Sequence, residues 1–545
     1  MRRNGHRAVS LGVMAVTVSL TGSLLSHATS SAAPTSSGSR AATKQSLSTN
    51  PFTTDARRKR LKAMRKSTSK SVKLKNVGGI GNRPNVIVLM ADDMRADDLN
   101  KPWMRNTRKL IAGNGATFTN SFAPTPLCAP ARASFLTGKY VHNHGVRAVR
   151  EPYGFQSFRD GNTLPVWLRA AGYKTIFLGK YINGYGRQPT RWGQPSKTYI
   201  PPGWSDWRAS LDSKGTYNYF NTHLNRNGKE QSLAGRYQTS QYGRISRNVI
   251  RKYSRNGAPF FLNISFTAPH NGGPHEPGDP KNTSSPARHP KTIGKFNRST
   301  RRLPDPDGEP GNRRKPATVS GRSKLTKTDK RRAKKVYRQR AEAMSSIDRQ
   351  VKRLVTTLRR TGELSNTYIM FTADNGYLLG QYRRKQGKTL PYDPSLSTPL
   401  AIRGPGIPRG VKRRDPFSTV DFAPTIARMA HTKARGRVDG KPMLGVARNG
   451  DRGWKRRPVL TNTGAKKGKK AFGQGIRVNG FLYSEYRSKG RKRELYNLRR
   501  DPLALNNVVN RKRYRFTKRR LTKALHRRWD CAGAKCRKPI RKYVR

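Results

Sequence analysis

Acidic residues are scarce in this chain, 29 against 114 Lys plus Arg in 545 residues, so a local concentration of them stands out. Asp92, Asp93, Asp97 and Asp98 fall within seven residues, directly after the apolar run Asn85-Val86-Ile87-Val88-Leu89-Met90. A second apolar run, Tyr368-Ile369-Met370-Phe371-Thr372, leads into Ala373-Asp374-Asn375-Gly376. Carboxylates and an amide oxygen at the carboxyl ends of strands suit a hard divalent cation, which takes oxygen ligands. Asp97 and Asp98 read instead as partners of neighbouring Lys and Arg. Two further apolar runs end in chemistry-bearing residues: Ile176-Phe177-Leu178 in Gly179-Lys180, and Phe260 to Phe266 in Ala268-Pro269-His270. Each alone is an ordinary strand end; four together, with complementary chemistry, form a candidate site.

Those runs must be positioned by a sheet. Unbroken apolar stretches at 85–90, 175–178, 259–266, 367–372 and 399–402 read as strands buried on both faces. Helical patterns such as Thr163–Ala171 and Thr328–Arg360 lie between them, so the chain reads as a doubly wound α/β sheet. Segments 185–245 and 271–322 are rich in Gly, Pro, Asn, Ser and Arg and read as long surface insertions. From about residue 455 short strand-like pieces take over, and a basic helix near 511–530 ends the chain, the outline of a smaller α+β C-terminal domain. The expected organisation is a leader at 1–33, a flexible basic arm at 34–82, a catalytic domain at 83–450 and a C-terminal subdomain at 451–545.

The leader follows from Arg2, Arg3 and Arg7, the uncharged stretch Ala8–Leu25 and the small residues Ser31-Ala32-Ala33, the layout of a secretory signal peptide. No later segment is apolar enough to span a membrane, so the expected location is outside the cell, with no span after leader removal. Export permits a disulfide, and Cys531 and Cys536 are the expected pair, with Cys128 left over. The formal charge of +85 attracts polyanions, and export favours sulfated or phosphorylated extracellular polymers over nucleic acid as the partner.

The run Cys128-Ala129-Pro130-Ala131-Arg132-Ala133-Ser134-Phe135-Leu136-Thr137-Gly138-Lys139 resembles the signature C-x-P-x-R, with its Leu-Thr-Gly extension, of the type I sulfatases. The resemblance extends over about residues 83–510. It implies an alkaline-phosphatase-like α/β fold, a mixed, mostly parallel sheet flanked by helices. It also implies oxidation of Cys128 to formylglycine by a separate formylglycine-generating enzyme, and one Ca²⁺ held by Asp92, Asp93, Asp374 and Asn375 with the modified Cys128. Arg132, Lys139, Lys180, His270 and Lys388 fall on motif positions that hold the nucleophile and the sulfate, with His270 or Lys388 as general acid. Gly179-Lys180-Tyr181-Ile182-Asn183-Gly184-Tyr185 and Tyr199-Ile200-Pro201-Pro202-Gly203-Trp204 are similar to N-acetylglucosamine-6-sulfatases and extracellular heparan endosulfatases. Ile182 stands where many arylsulfatases carry a histidine, which leaves the role of Asn183 open. His142 and His144 resemble the glucosamine-6-sulfatase pattern, and their role, in the chemistry or only in the shape of the loop, stays open. Glu494-Leu495-Tyr496-Asn497-Leu498 looks like the family's C-terminal marker. The implied activity is a secreted sulfuric ester hydrolase of sulfated sugars or aryl sulfates. The alternatives are a phosphodiester or phosphonate monoester hydrolase of the same superfamily and a non-catalytic polyanion-binding protein.

Overall fold

The computed structural model describes residues 83–304, 322–463, 473–486 and 492–540. The expected leader and basic arm lie outside the described residues, as does part of the 271–322 segment. A ten-stranded sheet carries the fold. Its strands in chain order are β1 Asn85–Ala91, β2 Ala116–Phe118, β3 Lys174–Lys180, β4 Asp206–Ser210, β5 His223–Arg226, β6 Lys229–Ser232, β7 Phe260–Ser265, β8 Thr367–Ala373, β9 Leu400–Arg403 and β10 Val411–Arg413. Their spatial order is β10-β2-β9-β8-β1-β7-β3-β4-β5-β6. The five central strands from β8 to β4 are mutually parallel. β9 joins β8 antiparallel, and β5 and β6 continue antiparallel beyond β4.

Helices cover both faces, which is why the central strands are apolar without alternation. Ile87 and Leu89 of β1 enter one core layer with helices α3 Gln238–Ser254 and α4 Lys327–Arg360; Val86, Val88 and Met90 enter the other with α1 Cys128–Thr137, α2 Leu164–Ala170 and α5 Phe422–Met429. A four-stranded antiparallel sheet, β11 Val459–Asn462, β12 Gly473–Val478, β13 Phe481–Tyr486 and β14 Arg493–Asn497, follows and packs on α6 Arg515–His526 through Ile476, Tyr483, Leu521 and Leu525. The Cys531–Cys536 disulfide closes the segment after α6, and His142 and Asn143 bond to the Cys531 carbonyl.

The segment 185–245 corrects its sequence reading. It is no surface insertion: it supplies β4, β5 and β6 of the main sheet and the start of α3. Trp207 and Tyr219 within it are fully buried. Its strands are short, and their polar residues are paired inside, as where Asn225 donates to the Tyr185 hydroxyl, so neither a long apolar run nor alternation advertises them.

Candidate active site

Strand register assembles the site. Ala91 pairs with Ala373, so Asp92 and Asp374 leave neighbouring strands side by side. Met90 and Gly179 both pair with Ser265, which sets Lys180 and the segment leading to His270 in the next positions of the same row. Adjacent strands are about 4.8 Å apart, so residues one step past the sheet edge converge without any special loop. Two backbone features sharpen the row. Asp93 has a φ of 66°, in the left-handed region, which turns the chain just after the strand. Gly179 has a φ of +102°, and a Cβ there would stand 2.1 Å from the Ser265 carbonyl oxygen, so no other residue fits before Lys180.

Cys128 is the first residue of α1 and is 1 % exposed. Its thiol donates to Asp92 Oδ1 at 3.3 Å, and Lys388 Nζ donates to Sγ at 2.7 Å. Arg132, one helical turn on, reaches the same centre: Nε donates to Asp374 Oδ2 at 3.0 Å and Nη1 to the Lys180 carbonyl at 2.6 Å. Its Nη2 is buried with no hydrogen-bond partner. Lys180 Nζ bonds Asp92 Oδ2 and Lys388 Nζ bonds Asp93 Oδ1, while Arg132 Nη2 also lies 3.9 Å from Asp92 Oδ2, so three carboxylates face three cations in a shared network. His270 donates through Nδ1 to the Asn271 carbonyl at 2.7 Å, and its Nε2 lies 3.6 Å from Asp93 Oδ2.

The charges are tuned by this packing. Burial and the neighbouring Asp92 push the Cys128 thiol far above the ordinary thiol range, the reverse of an activated thiolate. Burial lowers His270 to about 3, with Lys180 and Lys388 adding to it against the pull of Asp93. Burial would raise Asp93, but Lys388, His270 and Lys180 hold it below the usual carboxylate range. Burial and the like charge of Asp92 raise Asp374. Burial disfavours the charge on Lys388 and Lys180, yet Asp93 and Asp92 respectively keep both lysines protonated.

The donor set fits a hard cation. One ligand atom each of Asp92, Asp93, Asp374 and Cys128 lie within 4.8 Å of one another. Asn375 spends its amide nitrogen on Asp93 Oδ1 and the Gly376 carbonyl, leaving Oδ1 buried without a partner. A buried amide oxygen with nothing to accept from, beside three carboxylates, is what an oxygen-coordinated ion satisfies.

Of the expected residues, the structure gathers Asp92, Asp93, Cys128, Arg132, Lys180, His270, Asp374, Asn375 and Lys388. Lys139 is the exception. It follows Gly138, the C-cap of the ten-residue α1 that begins at Cys128, which puts it about 15 Å along the helix from the site. Asp98 accepts from the Arg95 backbone amide and Asp97 lies 3.6 Å from the Arg95 guanidinium, so these acids stay out of the cluster. His144 is buried between Ser134 Oγ and the Val146 amide, a loop-shaping role.

Sequence reasoning missed two residues and placed a third, Glu494, only within a C-terminal marker. Tyr217, inside the segment misread as an insertion, lies under Lys180 Nζ at 4.8 Å and against the His270 ring at 4.9 Å, and takes a hydrogen bond from Asn183 Nδ2. Arg340 of α4 bonds the carbonyls of Asp93 and Pro269, fixing two of the strand-end turns; nothing marks it among the other cations of that helix. Glu494 is buried and accepts from the hydroxyls of Tyr392, Tyr486 and Tyr496, which anchors the chain four residues past Lys388 to β14.

A family model described as sulfatase matches residues 84–432, and one described as N-sulphoglucosamine sulphohydrolase, C-terminal, matches 383–530. The chain is 30 % identical over 382 residues to an extracellular sulfatase homologue of Caenorhabditis elegans, covering 68 % of this chain and 50 % of that protein. It is 32 % identical over 379 residues to the N-acetylglucosamine-6-sulfatase of Homo sapiens, covering 67 % of this chain and 64 % of that one. It thus spans about half to two thirds of the length of these relatives. A solved structure of a protein in complex with its substrate D-glucosamine-2-N,6-O-disulfate shares the fold, with a TM-score of 0.67 and 21 % identity over 82 % of this chain and 97 % of that one.

Proposed function

Because the chain belongs to the sulfatase family, we propose that it is a sulfuric ester hydrolase acting on sulfated sugars, with aryl sulfates as surrogate substrates. The observation that carries this reading is the convergence of Arg132, Lys180 and Lys388 with three carboxylates on Cys128, and above all the buried Arg132 Nη2 with no hydrogen-bond partner. A fixed, desolvated donor of this kind suits an anionic oxygen of a substrate.

Asp92, Asp93, Asp374 and the unpartnered Asn375 Oδ1 would hold one Ca²⁺, which when bound polarises the sulfate as a Lewis acid. Oxidised to formylglycine by a maturation enzyme, position 128 would supply a geminal diol, one hydroxyl as nucleophile and the other to release sulfate without an external water. The strongly raised thiol of Cys128 supports a modified residue, since the unmodified side chain is a poor nucleophile here. Arg132, Lys180 and Lys388 bind and orient the sulfate oxygens and balance the charge they carry in the transition state. Lys388, kept protonated by Asp93 and bonded to Sγ of Cys128, would deliver a proton to the leaving alcohol oxygen, whereas His270, lowered to about 3 with its Nδ1 proton on the Asn271 carbonyl, would serve there as a neutral hydrogen-bonding group. Tyr217 packs Lys180 against His270, and Arg340 fixes the turn that carries Asp93.

The likeness to N-acetylglucosamine-6-sulfatases supports a 6-O-sulfated hexosamine as substrate, and that to an extracellular relative supports secretion. Among the described residues no helix is long and apolar enough to cross a membrane. The test combines mass spectrometry of the Cys128 peptide with turnover of an aryl sulfate, glucosamine-6-sulfate and the matching phosphonate ester, with and without a calcium chelator. A plain thiol together with no sulfate turnover sinks the proposal; preference for the phosphonate moves the activity to the sister reaction.

A further inference from the structure

The turn after Lys180 carries a polar pair that neither the sulfate nor the cation accounts for. β3 ends at Lys180, and the chain then folds back in a turn closed by the Tyr185 amide on the Ile182 carbonyl at 3.1 Å. Tyr181, Ile182 and Tyr185 are buried in the apolar layer around Trp207 and anchor the turn. Asn183 is the one side chain of the turn outside that layer. It is half-buried, and its Nδ2 donates to the Tyr217 hydroxyl at 2.5 Å. Asp212 accepts from the Gly184 amide at 2.6 Å, so the segment that carries Tyr217 also fixes the turn that carries Asn183. The pair is held in place before any ligand arrives.

The site is layered. Asp92, Asp93, Cys128 and Lys180 are fully buried and form its floor, whereas Asn183, Tyr217, His270 and Lys388 are half-buried and form its rim. The Tyr217 ring lies 4.8 Å from Lys180 Nζ and 4.9 Å from the His270 ring. A sulfate held on the floor by Lys180 therefore sends the alcohol it esterifies outward past Tyr217 and Asn183. Both residues have hydrogen-bonding capacity to spare. Asn183 Oδ1 is buried and accepts from nothing among the described residues, and the Tyr217 hydroxyl accepts from Asn183 with its own hydrogen unspent. Arg132 Nη2 and Asn375 Oδ1 are in the same state and are assigned to the sulfate and the cation. A buried acceptor without a partner calls for a donor from a ligand, and sulfate oxygens, which only accept, cannot supply it to Asn183.

We propose that Asn183 and Tyr217 are the specificity-determining pair for the sugar, the hydroxyl nearest the sulfate ester donating to Asn183 Oδ1 and accepting from the Tyr217 hydroxyl. This role rests on the reading of the chain as a hydrolase of sulfated sugars. A hydroxyl is donor and acceptor at a single atom, so one group satisfies both residues. On a hexosamine sulfated at carbon 6, the nearest ring hydroxyl is the one on carbon 4. Burial pushes the Tyr217 phenol well above its ordinary range, so it remains a neutral donor. The pair carries no charge and adds nothing to the attraction for sulfate itself; it separates a sugar ester from an aryl ester, which has no hydroxyl to offer.

The test is calorimetric titration of the full chain, as its Cys128→Ala form with calcium present, using glucosamine-6-sulfate, its 4-deoxy analogue and inorganic sulfate. The Cys128→Ala protein is expected to bind glucosamine-6-sulfate about tenfold more tightly than the 4-deoxy analogue. Adding Asn183→Leu, which keeps the shape of the amide without its polar atoms, should make the two sugars bind alike and lower the ratio of glucosamine-6-sulfate to sulfate affinity by about tenfold. Adding Tyr217→Phe instead keeps the ring beside Lys180 and His270 and removes only the hydroxyl, and should narrow the difference between the two sugars to about threefold. If Asn183→Leu unfolds at a lower temperature, Tyr217→Phe carries the test alone. Equal losses for the sugar and for inorganic sulfate overturn the assignment, because the pair then only supports Lys180. So does a Cys128→Ala protein that binds the two sugars alike, or an Asn183→Leu variant that still tells them apart. Affinity is read here without turnover, so a failed sugar contact is distinct from a failed hydrolase reading, which shows as a plain thiol at position 128 with no sulfate turnover.

Discussion

Arg132 offers the sharpest test of the site, because its stabilising and catalytic roles can be separated. Its Nε is 3.0 Å from Asp374 Oδ2, and the two side chains are 4 % and 0 % exposed. Replacing Arg132 with Met leaves a carboxylate buried beside Asp92 with its cation gone, which typically costs about 3–5 kcal/mol. For a unit of residues 77–545, an unfolding entropy near 2.1 cal/mol/K per residue amounts to about 1 kcal/mol/K, so the melting temperature should fall by about 3–5 °C. The loss has a pH signature. Asp374 is already raised by burial and by Asp92, and removing Arg132 raises it further above its unfolded value. A carboxyl that binds its proton more tightly when folded loses stability as pH rises through its folded pKa, so the deficit should be large at pH 8 and shrink in mild acid. Adding Asp374→Asn removes the stranded charge and should return about 2–3 kcal/mol. Activity should not return with it. Nη2, which makes no hydrogen bond, is the donor assigned to the sulfate, and losing such a donor costs about 100- to 1,000-fold in kcat, a figure read on the single variant because Asp374→Asn also removes a proposed calcium ligand. Thermal unfolding at two pH values and aryl sulfate kinetics on both variants decide the matter. A single variant as stable as the parent, or a double variant with restored turnover, refutes the reasoning.

Other expectations are equally direct. If Asp92, Asp93, Asp374 and Asn375 hold calcium, a chelator should lower the melting temperature by about 3 °C relative to calcium at 100-fold over its Kd, and Asn375→Ala should abolish that difference. Cys128→Ala should abolish turnover while leaving the melting temperature within a few degrees; substantial activity in the purified variant would remove the nucleophile from the mechanism. Glu494→Ala takes the carboxylate from three buried tyrosine hydroxyls, so a destabilisation of about 3–5 kcal/mol in urea is expected, with kcat reduced through the tether to the Lys388 loop. His144, lowered to about 3 by burial with His142 and Lys139 adding, is neutral when folded. Stability it contributes is present above pH 6.5 and lost on acidification, about 2 kcal/mol by pH 5, and His144→Gln should lack that component of the pH profile.

The site was legible in the sequence because its residues sit where unbroken apolar runs stop. Asp92 and Asp374 directly follow strand ends, Lys180 closes β3 and His270 lies five residues beyond β7, and parallel register sets these strand ends side by side. Cys128 and Arg132 were legible as a motif, and their spacing is one turn of α1. Lys139 misled because a motif conveys order along the chain and not direction in space: the helix that begins at the site carries its far end away. Tyr217 and β4 to β6 were hidden since short strands with internally bonded polar residues have the composition of a loop. The buried Arg340 left no trace, because the carbonyls that satisfy it are distant in sequence, and Glu494 was legible only as part of a C-terminal marker, without its tie to Tyr392.

The position of β1 also governs how the protein comes into being. It is the first strand of this sheet in chain order among the described residues, yet it lies in the middle of the sheet, where Val86 is flanked by Phe261 on one side and Tyr368 on the other. At ordinary rates of synthesis, both edges of a strand that is apolar from Val86 to Ala91 stay open for on the order of tens of seconds before their partners leave the ribosome. Unpaired apolar strands template aggregation. Asp92 and Asp374 cannot meet until residue 374 has emerged, so the site is completed late in synthesis.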